Sequence, residues 1–165
     1  MKTISAQELT LNAFERFGSF ASMIRPDGEI TGVPGSAIEF YRDRLALPLA
    51  GQVMGLSVTK CKKRPFVIEK AEYHSACCEA LMPLDGDVYI HVAPATPNGI
   101  VPYDKFEVFR VPAGTMVVLR PGVWHHAPYS IDKDQVCTLC MLPERTYALD
   151  CAGVVFPEEE RMQIR

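Results

Sequence analysis

The sequence predicts an all-β fold, a sandwich or barrel of short strands, on three observations. Thirteen prolines and eleven glycines are spread along the whole chain and cut it into short pieces. Between these breakers stand brief runs of β-branched and aromatic residues. The runs recur at close, regular spacing with turn residues between them, as in a sandwich or barrel rather than in βαβ units.

One helix is expected, near the start. Ser5 reads as its N-cap and Glu8 as the capping-box partner, with Leu9, Ala13, Phe14 and Phe17 at helical spacing and Gly18 as the stop. Ile38 to Asp43 alternates with a period of two and reads as a strand, with a short helix as the rival. Val53 to Thr59 and Phe66 to His74 read as strands around the basic turn Lys60-Cys61-Lys62-Lys63-Arg64-Pro65. After the turn Leu84-Asp85-Gly86-Asp87 come Val88 to Val92, Phe106 to Val111, Thr115 to Leu119 and Val136 to Leu142. The tail Pro157 to Arg161 reads as a solvated end. No repeat or linker interrupts the chain, so residues 1–165 are expected to form a single domain.

Composition excludes several function classes. Hydrophobic residues make up 48% and charged residues 22%, too apolar for a disordered chain. A net charge of −3 supplies no positive field for nucleic acid. The longest aliphatic stretch, Met116 to Leu119, is about a fifth of the ~20 residues that a membrane span needs. The first residues lack the apolar core of a signal peptide, so the expected compartment is the cytoplasm. Six cysteines are therefore read as reduced packing residues. Cys137 and Cys140 have CxxC spacing, but they sit in a strand-like run and no second CxxC completes a zinc site.

The residues that carry chemistry cluster in the middle of the chain. All four histidines, His74, His91, His125 and His126, lie there. In a strand Glu72 and His74 project to the same face, towards a barrel mouth, and Glu79 returns to that face after a short excursion. Downstream, the strand from Thr115 enters the Pro121-Gly122 turn and presents His125 just beyond it.

These residues resemble the two motifs of the cupin superfamily. His74, Glu79 and Gly86 keep the spacing of the first motif, with Glu72 where the first histidine usually stands and Phe66 for the leading glycine. Gly114, Gly122 and His125 keep that of the second, with its proline shifted to Pro121 and Tyr129 replacing the asparagine. A closer resemblance is to the ureidoglycolate lyase family, a dimeric branch of cupins. It rests on Glu72-Tyr73-His74, on Glu79-Ala80-Leu81-Met82-Pro83-Leu84-Asp85-Gly86, and on Gly122-Val123-Trp124-His125-His126-Ala127-Pro128. Ala13 to Gly18 and Glu39 to Asp43 are similar to two further family segments. Two departures stand out: the family's glutamine is Glu79 here, and its Asp-Arg-Gly-Gly stretch gives way to Cys140-Met141-Leu142-Pro143.

The resemblance implies a double-stranded β-helix (cupin jelly-roll barrel) with a short N-terminal helix, a homodimer, and one divalent metal held by Glu72, His74, Glu79 and His125. Two imidazoles with one or two carboxylates suit Zn, Ni, Mn or Fe(II). The activity implied is cleavage of ureidoglycolate to urea and glyoxylate. In that reaction Glu79 and His125 act as catalytic residues, and Glu79 relays a proton if it is not a ligand. Lys60 is the candidate for the substrate carboxylate, against its reading as part of a solvated basic turn. His91 is a candidate pocket-lining residue. His126 alternates with His125 and is expected to face away, and Trp124 is expected to pack. Two other readings stand beside this one. One is a metal-dependent cupin enzyme acting on another small hydroxy acid or carbonyl compound; the other is a non-catalytic small-molecule-binding cupin.

Overall fold

The computed structural model describes residues 1–28, 37, 40–48 and 51–165. Strands dominate. In chain order they are β1 (Lys2–Ile4), β2 (Ala6–Glu8), β3 (Gly18–Ser22), β4 (Met54–Lys62), β5 (Val67–Ile68), β6 (Lys70–Tyr73), β7 (Glu79–Pro83) and β8 (Val88–Ala93). Then come β9 (Glu107–Val111), β10 (Thr115–Leu119), β11 (Trp124–His125), β12 (Tyr129–Ser130), β13 (Gln135–Pro143), β14 (Ala152–Val155) and β15 (Met162–Ile164). Among the described residues two one-turn α-helices interrupt them, α1 (Leu11–Phe14) and α2 (Thr146–Leu149).

A five-stranded sheet in the order β3-β10-β7-β13-β4 faces a larger one in the order β14-β6-β11-β8-β9-β2, with β12 also paired on β8. Leu81, Val117, Leu119, Val136 and Cys140 from the first sheet share one core with Val88, Ile90, Val92, Phe109 and Val111 from the second. The two sheets thus close over a common interior as the double-stranded β-helix. Phe14 and Phe17 plug it, their ring centroids 5.2 Å and 5.9 Å from that of Phe109.

Period-two alternation gives the larger sheet a second buried face. While Val88, Ile90 and Val92 point inward, Ala93 and Tyr89 belong to an outer core with Ile68, Phe106, Val108, Trp124, Phe156, Met162 and Ile164. A small sheet, β1-β15-β5, covers that side. The segment expected as a solvated end, Pro157 to Arg161, is exposed or half-buried, but it does not end the fold. Glu158 to Glu160 form a one-turn 3₁₀ helix without a buried residue, but Phe156, Met162 and Ile164 flanking them are buried, and β15 pairs in parallel with β1.

The N-terminal helix is shorter and starts later than expected. Thr10, not Ser5, caps it by accepting from the Ala13 N–H, and Ala6 to Glu8 instead pair in parallel with β9. The distant strand partner outweighs the local capping-box signal. Gly18 does not end that helix but opens β3 against β10, where a Cβ would fall 1.7 Å from the Val118 carbonyl oxygen. The expected strand Ile38 to Asp43 begins outside the described residues; Phe40 forms a lone bridge and residues 41–43 no regular element. Among the described residues no helix is long and apolar enough to cross a membrane. All six thiols are free. Cys137 and Cys140 stand three apart on β13, so they face opposite sides of the sheet.

Candidate metal centre

Three elements deliver three side chains to one point in the barrel. His74 follows directly on β6, Glu79 is the first residue of β7, and His125 ends β11. Their placement follows from pairing. Glu79 lies opposite Leu119 of β10 and faces inward with Leu81. His125 lies between Val92 of β8 and Glu72 of β6, so it shares the inward face of Val92. The turn before it depends on Gly122, whose φ of 81° only glycine adopts readily, and the Gly122 N–H ties the turn to the His74 carbonyl at 2.7 Å.

All three side chains are buried, each with less than a tenth of its surface exposed. His125 Nε2 lies 2.7 Å and His74 Nε2 lies 3.1 Å from the same oxygen, Oε2 of Glu79. The opposite nitrogen of each ring is engaged: His74 Nδ1–H donates to the Asp150 carbonyl at 2.5 Å and His125 Nδ1–H to the Val123 carbonyl at 2.8 Å. These bonds set the tautomer, so each neutral imidazole brings an Nε2 lone pair to the carboxylate. Three acceptors converging on one point need a positive charge between or on them. One ligand atom from each residue lies within 4.8 Å of the others, so the donor set fits a divalent cation.

The electrostatics of the trio follow from the same convergence. Burial opposes the charge on Glu79, but His125 and His74 outweigh it and hold its carboxyl down at about 2. Burial likewise opposes protonation of His125 and His74, and the Glu79 carboxylate reverses it, raising both.

Beside the trio lies a small cavity of about 80 Å³, lined by Glu72, Glu79, His125, His126, Thr59 and Cys140 among others. Glu72 shares its wall with His125 but stands outside the three-residue group, and its Oε2 accepts from the Cys151 thiol at 3.3 Å. Its carboxylate with burial pushes that thiol up to about 11.

Two expected substrate residues are not brought to this cavity among the described residues. Lys60 is exposed on β4, whose neighbours Thr59 and Cys61 turn inward, so strand alternation points Lys60 out to solvent. His91 is wholly buried but on the outer face of β8, against Phe106 and Tyr129. Its Nε2–H donates to the Lys70 carbonyl at 3.1 Å, while Nδ1 has no partner. Burial, with the His126 charge, pushes its pKa down to about 3. His126 does not simply face away; it is half-buried and borders the cavity. Trp124 packs as expected, 4.6 Å from the Tyr73 ring, and its indole N–H donates to Thr96.

One residue carries no sequence signal. The backbone oxygen of Asp150 orients His74, and its side chain clamps the following loop by accepting from the Ser75 N–H, the Ser75 hydroxyl and the Ala76 N–H at 2.6–2.9 Å. It stands 76 residues from His74, and a carbonyl contact has no spacing pattern to betray it.

Comparison with solved structures finds Bacillus subtilis oxalate decarboxylase, described for its Mn(II) centres, at 14% identity and a TM-score of 0.44. That match covers 64% of this chain and 24% of the other. Lactobacillus farciminis oxalate decarboxylase in its formate complex matches at 13% identity and a TM-score of 0.44, over 64% and 27% of the two chains. This chain thus spans about a quarter of the length of those enzymes. A search of curated proteins returns no match. Among protein families, the ureidoglycolate lyase model matches residues 1–164, and over that length the chain belongs to the ureidoglycolate lyase family.

Proposed function

We propose that this protein is a cytoplasmic, metal-dependent lyase that splits ureidoglycolate into urea and glyoxylate. The observation that supports it most is the convergence of His74, Glu79 and His125 on one point inside a barrel whose sequence matches this family from end to end.

His74, Glu79 and His125 would hold a divalent cation, which when bound lowers the pKa of a hydroxyl placed against it. The chain's own residues supply the rest. Among the described residues no lysine or arginine lines the small cavity. Glu79 lies between the two imidazoles in a ligand's position, which leaves Glu72 as the carboxylate on the same wall for proton transfer. Glu72 takes the proton of the substrate hydroxyl, the C–N bond breaks as the C=O bond of glyoxylate forms, and the same proton passes to the departing urea nitrogen. No proton is gained or lost overall, as a lyase requires.

The dimer that the resemblance implies is part of the same proposal. β4 is an edge strand with Leu56 and Val58 more than half exposed, an apolar strip suited to a second copy, and light scattering tests it.

The deciding experiment incubates purified protein with ureidoglycolate, with and without added divalent cation, and assays glyoxylate. Cation-dependent release that is lost in His125→Ala is expected. A protein that binds the cation and releases nothing from ureidoglycolate overturns the lyase reading in favour of a binding cupin.

A further inference from the structure

On the outer side of the larger sheet lies a second cavity, of about 370 Å³, whose walls include Arg64, Lys70, Arg161, His126, Tyr129 and Glu69. Among the described residues two arginines and one lysine face it against one carboxylate, with Met1 also on its wall. Among the described residues, no carboxylate pairs with any of the three. Arg64 is fixed rather than neutralised. Its terminal nitrogens donate to the Ala127 and Pro128 carbonyls at 2.7 Å and 2.9 Å, and its guanidinium lies 4.0 Å over the Tyr129 ring. The Nε of Arg161 is buried with no hydrogen-bond partner. A buried guanidinium N–H without an acceptor is costly, and like charges held around one space repel, so both features call for an anion there.

We propose that this cavity is a binding site for a small, multiply charged oxyanion, a dicarboxylate or a phosphate monoester. A planar, pre-oriented guanidinium suits two-oxygen recognition of either group. The site is separate from the candidate metal centre but touches it. His126 borders both cavities, and the Ala127-Pro128 segment that Arg64 grips lines the smaller one. An anion seated on Arg64 and Arg161 therefore lies against the segment that follows His125.

The test uses full-length protein stripped of metal by EDTA and then dialysed, so that anion binding is read without any contribution from the centre. Inorganic phosphate and malonate are titrated calorimetrically, with sodium chloride holding ionic strength constant. Binding of at least one at millimolar concentration or tighter is expected, weakened at least tenfold in Arg161→Gln and in Lys70→Gln. Lys70 is exposed, so Lys70→Gln keeps the test valid if the Arg161 variant fails to fold. Malonate-selective binding assigns a dicarboxylate and phosphate-selective binding a phosphate ester; either supports the site. Heat no different from that of chloride, or affinity unchanged in both variants, overturns it. Because the protein is metal-free and no turnover is measured, failure here leaves the lyase reading standing, and the reverse holds too.

Discussion

His125 and His91 stand on neighbouring strands, both almost wholly shielded from water, and their acid–base behaviour runs in opposite directions. His125 faces the barrel interior, where the Glu79 carboxylate overcomes burial and raises it. His91 is one residue away from Val92, the strand partner of His125, and therefore on the other face. There it meets aromatic rings and a backbone carbonyl but no carboxylate, and burial drives it down to about 3. Burial by itself makes a histidine inert; a carboxylate aimed at its Nε2 makes it a ligand or an acid.

The largest effect follows from removing what sets the two apart. Glu79→Ala takes away the shared carboxylate, and cation binding should fall by more than about 100-fold, because even outer residues around metal ligands cost 10–100-fold. Elemental analysis after dialysis against the metal would read this, and near-normal occupancy in Glu79→Ala would break the comparison.

Next comes His91 itself. It stays neutral in the folded chain down to about pH 3, whereas in the unfolded chain it protonates near its ordinary 6.5. The unfolded state thus binds more protons across that window. The contribution of His91 is fully present above about pH 6.5 and is lost as pH falls towards 3. Between pH 6.5 and 4 the loss amounts to about 3 kcal/mol. Urea unfolding of wild type and His91→Phe at both pH values should show the variant gaining relative stability by about that amount at the lower pH. Parallel curves would mean that His91 is not the buried neutral base described here. Metal occupancy should be unchanged.

A smaller effect is expected at Asp150. Asp150→Ala keeps the carbonyl that orients His74 but releases the loop bonds to Ser75 and Ala76, and cation affinity should drop about tenfold. Isothermal titration with zinc would measure it, and full affinity in the variant would show that the loop holds His74 without the clamp. Lys60→Gln should be the smallest: less than a twofold change in glyoxylate release and stability within about 0.5 kcal/mol, since the side chain is exposed. A large loss of turnover would return Lys60 to the substrate pocket.

The same comparison explains what could be read from the sequence. Thr115 to Leu119 is a strand with the expected bounds, and Val88 to Val92 and Val136 to Leu142 each differ by a residue at one or both ends, because their apolar runs are bracketed by turn residues. The spacing that singled out His74, Glu79 and His125 reflects one geometry, two motifs whose strands β6, β7 and β11 enter the barrel, and the three do meet. The phase of β8 was not legible. Both of its faces are buried, so every position is apolar or shielded and nothing in the run tells His91 from an inward residue. At Lys60 the alternation was present, but only the inward Thr59 and Cys61 reveal its phase. β1 and β2 carry no pattern of their own in the sequence, because three-residue strands owe their existence to distant partners.

The parallel seam between Lys2–Ile4 and Met162–Ile164 brings the first and last strands side by side. A short linker could join them and new termini be opened at the Pro97–Gly99 turn, giving a circularly permuted barrel with the same interior. Deleting Met162 onward would do the opposite, unsealing the outer core and letting water reach the shelf on which His91 rests.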